Sequence, residues 1–142
     1  MQQYEFNIPG IPISWKRARH NKKRYFDPQH KEKEAVRLQV ISNLLLMGDH
    51  PFPINYPHHV LFQFYFPFPK NTPQKRRFPS PYTGTKDLSN LIKFYEDALN
   101  GMLWEDDRYI VSYLPPAGCT APIYPQKMQC AEPHTFITVW TR

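Results

Sequence analysis

Two short stretches hold residue types that could do chemistry: Lys86-Asp87-Leu88-Ser89-Asn90-Leu91-Ile92-Lys93 and Trp104-Glu105-Asp106-Asp107. On a helix turning by about 100° per residue, Ser89, Lys93 and Asn100 share a polar face opposite Leu91 and Tyr95. Taken singly, each residue has an ordinary role. Asp87 stands where a helix start favours an anion, Lys93 is a solvated helical lysine, and the acidic run is a polar turn before a strand. Together they suggest more. Magnesium takes oxygen ligands and is commonly held by one or two carboxylates plus substrate phosphate. Phosphodiester hydrolysis uses such an ion to activate water and neutralise charge. Crowded carboxylates cost stability unless a cation offsets them. The pattern points to metal-dependent cleavage of a phosphodiester.

The charge distribution supports an anionic partner. The net charge is +6, and residues 16–37 carry nine of the 18 Lys and Arg, with five more in residues 70–86. Residues 87–107 hold six of the 12 acids. Two basic stretches around a compact acidic one suit a polyanion held against carboxylates. The candidate phosphate contacts are Lys16, Arg17, Arg19, Lys22, Lys23 and Arg24, with Lys75, Arg76, Arg77 and Lys86 on the second stretch. Any one of them alone is a solvated surface charge; the two clusters acting on many phosphates favour DNA. Arg108 flanks the acidic turn as its neutralising partner. Tyr25, Phe26 and Phe78 are candidates for stacking on opened bases, with packing in the core or loops the weightier reading.

These groups must be positioned by a small set of elements. Tyr4, Phe6 and Ile8 alternate with Gln3, Glu5 and Asn7, a half-buried strand. Asp27-Pro28 reads as the start of a helix, with Ala35, Leu38, Ile41 and Leu45 as its apolar stripe, Val36, Val40 and Leu44 widening it, and Gly48 as its stop. Val60 to Phe68 is the strongest strand. A second helix runs from Asp87 to about Gly101, and short strands follow at 109–114 and 135–141. The order β-α-β-α-β-β predicts an α+β fold: a small mixed sheet of about four strands with two helices packed on one face. Residues 1–142 read as a single domain with basic loops at 9–26 and 69–86 and a Pro-rich irregular segment at 115–133.

At 142 residues the chain can bury one core. No apolar run reaches the length of a membrane helix, and MQQYEFNIPG lacks the apolar stretch of a signal peptide. The two cysteines make no disulfide framework, so a cytoplasmic protein is expected. Cys119, Cys130 and His134 have no zinc-site spacing, and His58-His59 reads as a partly exposed strand edge. Nothing suggests a nucleotide cofactor.

Asp87 to Lys93, then Asp97-Ala98-Leu99-Asn100-Gly101, then Trp104 to Asp107 resembles the RusA-type Holliday junction resolvases, whose signature reads D-x-D-N-L-x-K, D-A-L, W-x-D-D. Residues 12–19, Tyr25-Phe26-Asp27-Pro28 and Phe64-Tyr65-Phe66-Pro67 are similar to the same family. The resemblance spans most of residues 4–114 and is sharpest over 86–110. It implies a small homodimeric, magnesium-dependent endodeoxyribonuclease, often of prophage origin, acting in DNA recombination and repair. Such an enzyme binds four-way or branched DNA and resolves the junction by paired symmetric nicks. Carried over, Asp87, Asp106 and Asp107 are the metal-binding and catalytic carboxylates, Lys93 is the catalytic lysine, and Asn90 matches the motif asparagine.

One position departs from the signature: Ser89 stands where the motif has its second aspartate. A hydroxyl is a weaker magnesium ligand, so the expectation is weakened cleavage through the remaining three, or cleavage helped by manganese. Glu96 shares the face but lies about 10.5 Å further along the axis, too far for direct replacement, which leaves Glu105 as the favoured substitute. Return of Asp107 to Asp87 within one chain is the expected geometry, with a site shared across a dimer as the other. The competing reading is a junction or branched-DNA binder that no longer cuts. An RNA-binding domain is a third reading, and it leaves the acidic cluster unexplained.

Overall fold

The computed structural model describes residues 1–17, 19–20, 25–119 and 124–142. The elements in chain order are β1 (Gln2–Pro9), β2 (Arg19–His20), β3 (Tyr25–Phe26), α1 (His30–Met47), β4 (His58–Pro67), β5 (Ser80–Pro81), α2 (Leu88–Leu99), β6 (Ile110–Ser112), β7 (Gln126–Cys130) and β8 (His134–Thr141). The main sheet has six strands in the order β1-β8-β4-β7-β5, with β6 also paired to β4. β4 runs antiparallel to β8 and parallel to both β6 and β7, so the sheet is mixed. β2 and β3 form a separate two-stranded ribbon. No helix among the described residues is long and apolar enough to cross a membrane.

The α+β class stands, with six strands in place of the four expected. Two were not foreseen, for physical reasons. β7, Gln-Lys-Met-Gln-Cys, lies inside the Pro-rich segment expected to be irregular and has no apolar alternation; every one of its residues is half-buried. Backbone pairing to β4, rather than its own side chains, makes it a strand. β5 is two residues including a proline, which only an edge strand tolerates.

Strand β4 sits at the centre because its side chains are apolar on both faces. Val60, Phe62, Phe64 and Phe66 join the helices in the core, and Leu61 and Gln63 are buried on the other face. Against the core face pack Leu91, Phe94, Tyr95, Ala98 and Leu99 of α2 and Val36 and Val40 of α1. Arg37 of α1 donates to the carbonyls of Ala98 and Asn100 at 3.3 and 3.4 Å, satisfying the open end of α2.

Helix α1 departs from expectation twice. It starts at His30, not at Asp27-Pro28: Asp27 instead accepts from the Gln29 amide at 2.9 Å and pairs with Lys33, fixing the turn ahead of the helix. The expected stripe also faces out, with Leu38, Ile41 and Leu45 exposed while Val36 and Val40 are buried. Two apolar stripes at helical spacing compete here, and Arg37's anchorage to the end of α2 fits the choice of the Val36 side. Gly48 ends the helix as expected, at φ 75°, where a side chain would be strained.

Candidate active site

Asp87 occupies the position just before α2, with extended backbone, and its carbonyl accepts from the Leu91 amide at 3.1 Å. Its side chain makes no capping hydrogen bond and is exposed. The ordinary capping role therefore does not use this carboxylate. Beside it, Lys127 of β7 donates to the Lys86 carbonyl at 2.8 Å and lies over the Tyr82 ring. Lys127 was missed because β7 was not legible as a strand; no motif marks it.

Past α2 the chain turns sharply. Gly101, at φ 83°, donates to the Trp104 carbonyl at 2.7 Å. Trp104 is fully buried, and its Nε1 donates to the Glu96 carbonyl at 3.4 Å. Ile54 brackets the turn, donating to Leu103 O at 3.0 Å and accepting from the Glu105 amide at 2.9 Å. This double clamp seats the acidic run on the linker and holds it near the last turns of α2. Asp106 then caps a 3-10 turn over Asp107–Tyr109, accepting from the Arg108 amide at 2.9 Å.

Arg108 makes no ion pair with the acidic turn among the described residues, although the charges of Asp106 and Glu105 act on it. Among the described residues its Nη2 donates to the Tyr109 hydroxyl at 3.1 Å and its guanidinium lies 5.0 Å from that ring's centre. This hydrogen bond comes first among the causes that raise its pKa. Asp107 is exposed and has no salt-bridge partner among the described residues.

Following β6, Tyr113 comes back onto α2 and donates its hydroxyl to Glu96. Leu88, Ser89, Ile92, Lys93, Glu96 and Tyr113 line one open cleft of about 560 Å³. Glu96 is only 9% exposed. Burial first, and then the charge of Asp107, push its pKa up to about 7, against the opposing pull of Lys93. Lys93 lies 3.8 Å from Asp97 and 5.4 Å from the centre of the Trp15 ring. Glu96, too far along the helix to replace a carboxylate at Ser89, nonetheless lines the same cleft as Ser89 and Lys93. Its place on the Ser89–Lys93 face was the available signal. Glu105, the favoured substitute, is exposed and does not line the cleft.

The first basic loop reaches the same helix. Trp15 donates its amide to the Asn90 carbonyl at 2.9 Å, and buried Gln29 bonds both Lys16 N and Ser14 O at 2.8 Å. Exposed Lys16 and Arg17 thereby sit close to the first turn of α2. Asn90 uses its backbone here; its side chain makes no hydrogen bond among the described residues. Of Arg19 only the backbone is described, in β2, and Lys22, Lys23 and Arg24 lie outside the described residues. Lys75 and Arg76 are exposed on a 3-10 turn, and Arg77 lines a separate depression with Pro67, Phe68, Gln74 and Ala131. Phe26 and Phe78 are exposed rather than packed; Tyr25 is described only by its backbone. His58, expected at an exposed edge, is buried and stacks on Trp104.

Among the described residues no three acidic, histidine or cysteine side chains converge into a ready-made metal cage. The cleft itself offers one carboxylate, Glu96, with the Ser89 and Tyr113 hydroxyls and the Lys93 ammonium. Asp87, Asp106 and Asp107 lie outside that lining and carry the oxygen donors that a hard divalent cation takes.

A family model described as endodeoxyribonuclease RusA matches residues 9–139 of the 142. No curated protein matches the chain.

Proposed function

The chain belongs to the RusA endodeoxyribonuclease family, and from that premise we propose that it is a magnesium-dependent, structure-selective nuclease. It binds four-way DNA junctions as a homodimer and resolves them by paired nicks. Residues 1–142 act as one domain. The observation that carries this reading is the clamp at Trp104, which returns the acidic turn towards the Lys93 face of α2, while the Trp15–Asn90 hydrogen bond brings Lys16 and Arg17 to the first turn of that helix.

In this mechanism Asp87, Asp106 and Asp107 are the residues that would hold the cation, with manganese as an alternative to magnesium. When bound, the ion supplies positive charge at the scissile phosphate and a more acidic water. Lys93, on the wall of the cleft, holds a non-bridging phosphate oxygen and offsets the charge that builds there. Water adds to phosphorus and gives up one proton, the P–O bond to the leaving sugar oxygen breaks, and that oxygen takes up one proton, so the count closes. Lys16, Arg17, Lys86 and Lys127 hold the flanking backbone, and Lys75, Arg76 and Arg77 contact a more distant arm. Paired nicks require two such sites, one from each subunit.

The test is nicking of a labelled four-way junction beside a linear duplex of the same sequence, with magnesium, manganese or EDTA. Metal-dependent paired nicks confined to the junction, and lost in Asp107→Asn, are the expected result. A second reading, a junction binder that does not cut, is favoured by Ser89. It predicts tight binding without nicks, and nicks appearing in Ser89→Asp.

A further inference from the structure

Lys93 is the cation in the lining of the cleft, and two neighbours act on its ammonium. The centre of the Trp15 ring lies 5.4 Å away, and a carboxylate oxygen of Asp97, one helical turn on, lies 3.8 Å away. At 3.8 Å the carboxylate is too far to accept a hydrogen bond. Among the described residues the ammonium donates to no other group. An aromatic face attracts a cation through its quadrupole and takes none of its N–H groups. A carboxylate at hydrogen-bond distance takes one or more of them. The two neighbours therefore have opposite effects on a lysine that is to hold phosphate.

The ring is built into place. The Trp15 amide donates to the Asn90 carbonyl at 2.9 Å, one turn before Lys93 on the same helix. Buried Gln29 bonds Ser14 O and Lys16 N, on either side of Trp15, both at 2.8 Å. Three consecutive residues are thus pinned, and Trp15 packs against the core. We infer that Trp15 is a positioning residue for Lys93: its ring holds the ammonium off Asp97, at the cleft, with its N–H groups free for a phosphate oxygen. The inference rests on the reading of this cleft as the place where Lys93 meets the scissile phosphate. It gives the first basic loop a second task, since the segment that brings Lys16 and Arg17 to the DNA also carries the ring that aligns the lysine.

The experiment measures three things: nicking of the four-way junction at saturating protein, junction affinity, and the NMR shift of the Lys93 ε-methylene, identified by its loss in Lys93→Arg. The chains compared are the natural one, Trp15→Leu, Trp15→Phe, Asp97→Asn and the double variant Trp15→Leu/Asp97→Asn. Leucine keeps an apolar side chain against the core but has no aromatic face; phenylalanine keeps the face. Trp15→Leu is expected to nick about tenfold more slowly, the order of one cation–π contact. Its junction affinity should stay within about twofold, because Lys16 and Arg17 remain. Trp15→Phe should nick within about threefold of the natural chain. The double variant should also return to within about threefold, because the competing carboxylate at i+4 is gone. The ε-methylene is expected upfield in the natural chain, from the ring current, and at the ordinary lysine position in Trp15→Leu.

Trp15→Leu that nicks as fast as the natural chain would overturn the inference and leave the nuclease reading standing. So would a loss that Asp97→Asn does not repair in a folded, junction-binding protein, because a ring needed only for packing is not replaced by neutralising a carboxylate on another element. An ε-methylene signal indifferent to Trp15 would overturn it too. If the natural chain bound the junction and never nicked it, the nuclease reading itself would fall, and the inference with it. Should Trp15→Leu not fold, Asp97→Glu takes its place. The longer carboxylate reaches the ammonium, so nicking is expected to fall by about threefold and the ε-methylene signal to leave the ring. No change in either overturns the inference.

Discussion

Tyr113 donates its hydroxyl to Glu96, tying the chain just after β6 to the last turns of α2, and both side chains line the cleft. That bond holds in place a carboxylate whose pKa is raised to about 7, by burial first and then by Asp107.

The raised value makes stability depend on pH in a defined direction. The folded chain keeps a proton on Glu96 that the unfolded chain releases near its ordinary value of 4.5. Stability from this group is complete below about pH 4.5 and is lost as pH rises through about 7. In cation-free buffer at pH 8, Glu96→Gln is expected to be more stable than the natural chain by about 1–2 kcal/mol. That is roughly half the linkage value, since the carboxylate sits at an open cleft. The gap should close towards pH 4.5. Urea midpoints across this range check it; a gap that stays constant with pH would mean Asp107 and burial do not act on Glu96.

His58 has the opposite slope. Its Nδ1 donates to the Tyr56 carbonyl at 2.9 Å, its Nε2 is buried without a partner among the described residues, and its ring stacks on Trp104. Burial, ahead of the repulsion from His59, lowers its pKa below 6.5. The unfolded chain takes up a proton first as pH falls, so stability is complete above about 6.5 and declines below it. His58→Phe keeps a ring against Trp104 and removes the titration. Its unfolding midpoint should change less between pH 6.5 and 5 than that of the natural chain. An equal acid slope in both would place the titrating group elsewhere.

The residues show why some of this was readable in advance and some was not. α2 was legible because its apolar positions fall on one face, opposite Ser89 and Lys93. α1 was misread because it has two such stripes, and tertiary contacts, not periodicity, select Val36 and Val40. β7 is polar and owes its conformation to the β4 edge. Glu96 was discounted by a correct distance along the helix axis. What that distance omits is the clamp of Trp104 and Ile54, a long-range packing event that seats the start of the acidic run near the last turns of α2.

That clamp also bears on whether one chain completes the site. The turn at Gly101 and the Trp104–Glu96 hydrogen bond send the acidic run back towards its own α2. Mixed dimers of Asp87→Asn and Asp107→Asn subunits are therefore expected to be as inactive as either parent. If mixing restored about a quarter or more of natural nicking, the carboxylates would have to come from different subunits.

The basic loop offers a measurement independent of cleavage. Lys16 and Arg17 are exposed, and their segment is pinned by Trp15 to Asn90 and by Gln29 to Ser14 and Lys16, so their backbone positions are set before DNA arrives. Each phosphate contact releases condensed counterions, so losing one lowers the slope of log affinity against log salt by about 1. Lys16→Gln/Arg17→Gln should weaken junction binding about tenfold or more near physiological salt and reduce that slope by about 2. Nicking at saturating protein should change little, because neither side chain lines the cleft. An unchanged salt slope would show that these two residues are solvated surface charges and that the junction arms follow another path.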